Sequence, residues 1–532
     1  MFWMGALVLI TCIARWVYQW RNPRCNGKLP PGSMGFPLVG ETLQFFSTST
    51  SSDVHPFVKD RVERYGPIFK TSLVGQPVIV SADSDLSHFV FLQEGQLFQS
   101  WYPVTFTEVL GRQNLSSLHD FMYKYLKNMV LSLFGPEGLK KMLPEVERMA
   151  CRRLQRWSIQ ETVELKEATS SLIFDLTAEK LISCEAGNAS ENLRDNFVAF
   201  IQGLISFPLN IPGTAYHKCL QGRKNAMKML KKLLNERRPA VPGKNQVDFF
   251  DFVLEELDKE GTILTEEIAL DLMFTLLFAS YETTSLALTA AVKFLSDHPS
   301  VLKKLREEHE AILRNRENTD SGLTWKEYKS MRYTFQCKLQ FINETVRLAN
   351  IVPLIFRKAL REIKFKGYTI PAGWAVMVTP PAVHLNPEKY QDPLTFNPSR
   401  WEQGEINGAS KNFMAFGGGM RFCIGADFAK LQMAVFLHCL VGTDQRRKYG
   451  PNPGFTVSRW LSHTAKGENQ NGVAPAPALH LKMQQYKPLL AVLPVENRGR
   501  REPNSINVTK LSISMIVEVN KSLLLDRRGN LE

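Results

Sequence analysis

Along most of the chain apolar residues recur at helical spacing, and strand-like text is confined to a few short stretches. Residues 1–14 are almost wholly apolar, and Arg15, Arg21, Arg24 and Lys28 follow among Trp16, Tyr18 and Trp20. A run of 14 residues falls short of the roughly 20 that span a bilayer, yet Arg15 can snorkel and aromatic rings favour the interface. Residues 1–28 are therefore expected to form an N-terminal membrane anchor, tilted or interfacial, with a basic flank. Positive charge after the apolar run places the body on the cytoplasmic side. A cleaved signal peptide, the competing reading, carries its charges before the apolar stretch and a small-residue site after it; neither is present. The sequons at Asn114, Asn188, Asn343 and Asn507 are then kept away from the glycosylation machinery.

Leu29-Pro30-Pro31-Gly32-Ser33 can be neither helix nor inner strand, and the globular body starts behind it. Residues 68–74 and 77–81 flank a Gly75-Gln76 turn and read as a hairpin. From about residue 83 to residue 355 the pattern is mostly helical; Tyr123 and Lys127 share a face of one such stretch. Residues 197–212, with Phe200, Leu204, Ile205, Phe207, Leu209 and Ile211, carry no charge. They read equally as an apolar substrate entrance, a membrane contact or core. Residues 265–298 read as one unusually long, mostly apolar and so buried central helix, with Thr265 as N-cap and Glu266 and Glu267 in its first turn. A helix over residues 333–350 follows, and residues 365–373 with 374–378 give a strand-turn-strand pattern. The expected fold is mainly α with small β-sheets.

Composition changes this picture little. Hydrophobic content of 44%, charged content of 22% and 33 Phe exclude a disordered chain and promise an aromatic-rich core. The eight cysteines contain no C-x-x-C pair, which argues against a zinc site or disulfide scaffold and for a reducing compartment. A formal charge of +13 points to anionic partners, but +7 of it lies after residue 441, where 14 Lys/Arg face 7 Asp/Glu. No basic helix with interleaved aromatics is present, so nucleic acid is not an expected partner.

The chemistry gathers at Phe416-Gly417-Gly418-Gly419-Met420-Arg421-Phe422-Cys423-Ile424-Gly425, a glycine-dense run that leads into helical text from Ala426. A cysteine just ahead of a helix receives backbone N–H groups and the positive end of the helix dipole, which stabilise a thiolate. Cys423 is read as a metal ligand, against the alternative of a structural cysteine in a Gly-rich turn. The glycines let backbone approach a flat, bulky group, and Arg421 can pair with a carboxylate of that group. A porphyrin with propionates fits that description. Spaced as F-x-x-G-x-R-x-C-x-G, the run resembles the haem-binding loop of the cytochrome P-450 superfamily.

The resemblance implies haem b, an iron-protoporphyrin IX, with Cys423 as axial thiolate whose electron donation favours O–O cleavage. It assigns Phe416, Gly417, Arg421 and Gly425 to the cofactor, with Arg357 as a second propionate partner and Tyr123 and Lys127 as looser ones. Ala279-Ser280-Tyr281-Glu282-Thr283-Thr284 resembles the family's oxygen-activation motif, with Ser280 in place of the usual glycine. Thr283 and Glu282 are thereby the expected catalytic, proton-delivering residues, although a Thr that merely bonds back to the preceding turn is compatible. Glu344, Arg347 and Arg400 resemble the structural Glu-Arg-Arg triad that locks the cysteine region.

A haem-thiolate monooxygenase follows, fed by a membrane-bound NADPH-cytochrome P-450 reductase because no flavin or nicotinamide motif is present in this chain. The proline hinge, the helix motif and the cysteine loop look most like plant members acting on sterols, brassinosteroids and tetracyclic triterpenoids, including the cucurbitadienol 11-hydroxylase type. The expected partners are dioxygen, a hydrophobic terpenoid and a lipid bilayer, with the catalytic domain facing the cytoplasm from the endoplasmic reticulum membrane. A haem-thiolate isomerase or lyase and a catalytically impaired haem binder are the alternatives. The resemblance covers residues 29–441, the catalytic domain, and stops there. Residues 442–532 lack the short β-rich end expected of the family and read as loop-like text with a basic tail. An alternative splice, retained intron or frameshift is the expected cause, with a novel C-terminal extension as the alternative. Comparison of transcript with genomic sequence should show an intron boundary near codon 441, and an intact reading frame without one would contradict this.

Overall fold

The computed structural model describes residues 2–23, 25–46, 54–160, 163–185, 187–204, 206, 208–238, 248–316, 321–334, 340–402 and 410–442. The C-terminal segment therefore lies outside the described residues, apart from its first one.

The central helix is Glu266–Asp297, 32 residues or about 48 Å at 1.5 Å per residue. Its N-cap is Thr265, whose side chain accepts from the Ile268 amide, and its first turn is acidic as the dipole favours. Leu272, Met273, Phe274, Leu277, Leu288, Ala291 and Leu295 have no appreciable exposed surface. Apolar on nearly every side, the rod is held between other elements rather than on the surface: it packs on Leu165–Ile182, Gln340–Ala349 and Ala426–Val441. Phe197 stacks on Phe274 at 4.9 Å between ring centroids, and Phe200 meets Phe274 and Phe278 edge-on. Core packing is thus the outcome for Phe197 and Phe200, while Ile211 is exposed; Ile205 and Phe207 lie outside the described residues.

The strands are few and short. They are β1 (Ile68–Leu73), β2 (Gln76–Ser81), β3 (Phe98–Ser100), β4 (Ile355–Ala359), β5 (Ile363–Phe365), β6 (Tyr368–Ile370) and β7 (Ala375–Val378). One sheet has the order β1-β2-β7-β4-β3, with β2 and β7 parallel and the other pairs antiparallel; β5 and β6 form a separate hairpin. Two expectations shift. The first hairpin turns at Val74 (φ 50) and Gly75 (φ 73), so Gln76 pairs with Leu73. Two consecutive positive φ values match the twist of the flanking strands, and Gly75 has to be the second of them. The later strand-turn-strand splits, because Lys366 and Gly367 make the same kind of turn within β5-β6 while β7 joins the larger sheet. The helix expected over residues 333–350 is seen as Gln340–Ala349, and Tyr333 and Thr334 lie in a turn before it.

At the N-terminus, Phe2–Arg21 is helical, with Leu7, Val8, Leu9 and Ile10 exposed. Among the described residues no helix is long and apolar enough to cross a membrane. In Phe2–Arg21, Arg15, Gln19 and Arg21 interrupt the apolar run, which keeps it as short as the 14-residue stretch read from the sequence. Trp20 donates its indole N–H to the Met34 carbonyl at 3.2 Å, tying the helix end to the body; Arg24 lies outside the described residues. Asn114 and Asn343 are fully enclosed, so the folded body leaves neither open to a glycan.

Two buried polar clusters fasten the cysteine side of the molecule. Glu344 Oε1 accepts from Arg347 Nη2 (2.8 Å), Arg400 Nε (2.9 Å) and the Asn397 amide (2.9 Å). Its Oε2 accepts from Arg347 Nε (2.8 Å) and Trp401 Nε1 (3.0 Å). Arg347 donates onward to the carbonyls of His384 and Pro393. Glu344 and Arg347 have no exposed surface, so neither charge can be left alone cheaply. Arg347→Ala should cost about 3–5 kcal/mol of stability, read by denaturant unfolding; a loss under about 1 kcal/mol would contradict a dependence on this pair.

His309, on Pro299–Arg314, faces His438, on Ala426–Val441, at 3.0 Å between Nδ1 atoms, with Thr334 Oγ1 at 3.0 Å from His309 Nε2. Burial pulls both imidazoles below their ordinary range, His438 to about 4, and for His309 the neighbouring His438 acts in the same direction. The unfolded chain therefore binds protons first. The pair's contribution is complete above about pH 6.5 and is lost progressively as pH falls towards about 4. Melting temperatures from pH 7.5 to 4.5 should fall less steeply in the His309→Gln/His438→Gln double variant than in the parent; equal slopes would refute the assignment.

Candidate active site

The cysteine loop is closed by short backbone bonds. The Cys423 amide donates to Phe416 O (3.0 Å), the Gly417 amide to Met414 O (2.9 Å), and the Ala426 amide to Cys423 O (3.3 Å). Ala426–Val441 starts directly behind it. Gly419, at φ +62, lies so close to the preceding helix Ser84–Leu92 that a Cβ would stand 2.0 Å from Phe91 O. A β-carbon at Gly425 would meet nothing within 4 Å, and one at Gly417 would meet only Arg421 O at 3.8 Å. The glycines thus divide the work: Gly418 and Gly419 admit protein, Gly417 and Gly425 leave open space. Phe416 and Phe422 have ring centroids 6.3 Å apart, and Lys430 Nζ lies 5.1 Å from the Phe416 ring.

Cys423 has accessible surface, and yet the protein around it pushes its thiol up by burial, opposed by the Gly425 backbone N–H and the Lys430 ammonium. Accessible surface inside a desolvating shell leaves room for another group beside the sulfur. The central helix shows the same signature: Leu277 and Tyr281 are buried, whereas Ala279 is exposed and Ser280, Glu282 and Thr283 are half-buried. Ala279 and Thr283, four apart, share a face. Thr283 Oγ1 donates to Ala279 O at 2.7 Å, so the back-bonded form is present, and this helix packs on the cysteine helix.

Tyr123 and Lys127, on Asp120–Phe134, converge on one loop atom: Met420 O accepts from Lys127 Nζ at 2.6 Å and from Tyr123 Oη at 3.3 Å. The Arg421 guanidinium lies over the Tyr123 ring, 4.1 Å from its centroid. Its Nη atoms donate to Leu115 O and Leu118 O and approach His119 Nδ1 at 3.1 Å. Burial and the Arg421 charge hold His119 below its ordinary range, which keeps a lone pair on that ring for the guanidinium. Arg357, on β4, donates Nη1 to its neighbour Phe356 O. Both arginines pair with Glu94: Arg421 Nε with Oε1 and Arg357 Nε with Oε2, each at 2.6 Å. The second contact is close but lies off the N–H direction. The structure thus brings Arg357, Arg421, Tyr123 and Lys127 to the cysteine loop, and gathers Glu344, Arg347 and Arg400 in a separate buried cluster. Glu94 and His119 are missing from the sequence reading; a lone Glu-Gly after an apolar helix carries no periodic signal, and their partners lie about 300 residues away.

A family model described as Cytochrome P450 matches residues 30–443. Cytochrome P450 87A3 of Oryza sativa subsp. japonica is 61% identical over 430 residues, 80% of this chain and 83% of the relative. Beta-amyrin 16-alpha-hydroxylase of Maesa lanceolata is 42% identical over 441 residues, 82% and 92% of the two chains. Cucurbitadienol 11-hydroxylase of Siraitia grosvenorii is 40% identical over 457 residues, 85% and 94%. Among solved structures, the retinoic acid-bound cyanobacterial CYP120A1 aligns with a TM-score of 0.69 at 27% identity, covering 78% of this chain and 92% of that one. That family and fold bind haem through an axial cysteine thiolate. The residues present suit the group: an enclosed but accessible Cys423 sulfur, open space over Gly417 and Gly425, and two arginines at the loop. A match spanning the described body, on a mainly helical fold with small sheets, makes this chain a member of the cytochrome P450 family and a monooxygenase.

Proposed function

We propose that the chain hydroxylates a large apolar terpenoid, a tetracyclic triterpenoid or sterol, using dioxygen and electrons from NADPH-cytochrome P450 reductase. The observation that carries this is the pairing of an enclosed, accessible cysteine with an accessible Ala279–Thr283 face on an otherwise buried helix. The relatives named for triterpenoid hydroxylation, at 42% and 40% identity, support the substrate class. Both are hydroxylases, which leaves the isomerase or lyase reading without support.

Cys423 holds the haem iron. Bound haem supplies dioxygen activation and attack on an unactivated C–H bond. The chain's own part is to shape and charge the site. The Gly425 N–H and Lys430 favour the thiolate over the thiol, Phe416 and Gly417 line the loop, and Arg357, Arg421, Tyr123 and Lys127 form the polar end for the propionates. Thr283 holds a transferable proton at Oγ1, directed to Ala279 O at rest, and with Glu282 it passes protons into the cavity. The apolar helix Phe2–Arg21 serves as a single N-terminal anchor in the endoplasmic reticulum membrane, with the body on the cytoplasmic side.

Full-length protein with reductase, NADPH and a panel of triterpenoids and sterols should return a product with one added oxygen atom. Thr283→Ala should lower product formed per NADPH by roughly tenfold or more, part of the ~100-fold or larger effect of a positioned proton donor, while NADPH consumption continues. Unchanged coupling in that variant would refute the proton-delivery role, and no product from any member of the panel would refute the substrate class.

A further inference from the structure

Glu94 stands in the turn after Ser84–Leu92, with 2% of its side chain exposed. Its carboxylate joins three parts of the chain. Oε1 lies 2.6 Å from Arg421 Nε of the cysteine loop and accepts from the Ser100 amide of β3 at 2.9 Å, and Oε2 lies 2.6 Å from Arg357 Nε of β4. β3 and β4 are themselves paired, Ser100 opposite Arg357, so the carboxylate is set at a sheet edge against the loop. Both guanidiniums are met at Nε. Arg421 spends its Nη atoms on Leu115 O, Leu118 O and His119 Nδ1 and so offers a carboxylate mainly its charge, whereas Arg357 keeps an Nη edge whose one bond among the described residues runs from Nη1 to Phe356 O. Two like charges this close would drift apart without an anion between them, and one anion between two cations leaves a net charge of +1 rather than +2.

We infer that Glu94 is a positioning residue which holds Arg357 and Arg421 as one preassembled clamp for the haem carboxylates and tempers their charge, setting the potential at which the haem iron takes up its first electron. This rests on the haem-thiolate reading above. Glu94 touches neither the iron nor the substrate; it acts through the two arginines.

Glu94→Gln keeps the shape and one acceptor oxygen and removes the negative charge. Reduction of ferric to ferrous iron adds one electron from an external donor, and a more positive surrounding favours it. In spectroelectrochemical titration of full-length holoprotein, Glu94→Gln should have a midpoint potential shifted to more positive values, while Glu94→Asp, which keeps the charge, stays near the parent. Loss of haem from Glu94→Gln with retention in Glu94→Asp also supports the clamp. An unshifted potential in haem-loaded Glu94→Gln overturns it, as does equal loss of haem from both variants, the mark of a merely structural contact. A parent that takes up haem without thiolate character overturns the haem-thiolate reading itself, and is told apart by the parent's own spectrum.

Discussion

An enclosed sulfur must stay negative for this fold to work as it does, and burial opposes that. The protein around Cys423 raises its thiol, while the Gly425 N–H and the Lys430 ammonium pull the other way. Neither donor is in reach unless the loop is tight and the helix begins at once behind it. That requirement explains the glycines, the Phe416–Cys423 backbone bond and the contact of Gly419 with Phe91. It also explains the outer ties. Tyr123 and Lys127 share the Met420 carbonyl, so the helix Asp120–Phe134 clamps the loop from one side. Arg421, in reaching Glu94, Leu115 and Leu118, clamps it from the other.

The rest of the body supplies fixed walls. Between its exposed ends the central helix is largely buried and opens most at Ala279, so polar residues that would be out of place in a core fall where surface is available. On the opposite flank the Glu344 cluster gathers five donors onto one carboxylate without exposing it. A buried charge of this kind is weak as a source of stability but strong as a specifier of geometry when every partner is present. Its donors come from the helix Gln340–Ala349 and from residues 397–401, and the chain enters the cysteine loop soon after those.

Much of this was legible in the chain because its signals are local. The ten-residue cysteine run, the Thr265 cap, the long apolar rod interrupted at Ala279 to Thr284, and the spacing of Glu344 and Arg347 each need only neighbouring residues to be seen. A single glycine does not say which of two central positions it fills, so the turn at Val74-Gly75 reads one residue late in the sequence alone. The β5-β6 hairpin and β7 read as one unit because sheet membership depends on partners such as Val78, almost 300 residues away from β7. Glu94 was invisible for the same reason: alone it is an ordinary carboxylate, and only the fold brings Arg357 and Arg421 to it. The shortness of the N-terminal apolar run is likewise a local feature: 14 residues ended by Arg15 are too few to span a bilayer.

The central claim is that Cys423 is the axial ligand. Its most direct test is the spectrum of the reduced, carbon monoxide-bound, haem-loaded protein, recorded for the parent and for Cys423→His. The account predicts the red-shifted Soret band of a thiolate ligand in the parent, and its replacement by an imidazole-type band in the variant. A haem-loaded parent without the thiolate band, or a thiolate band that survives in Cys423→His, would contradict it.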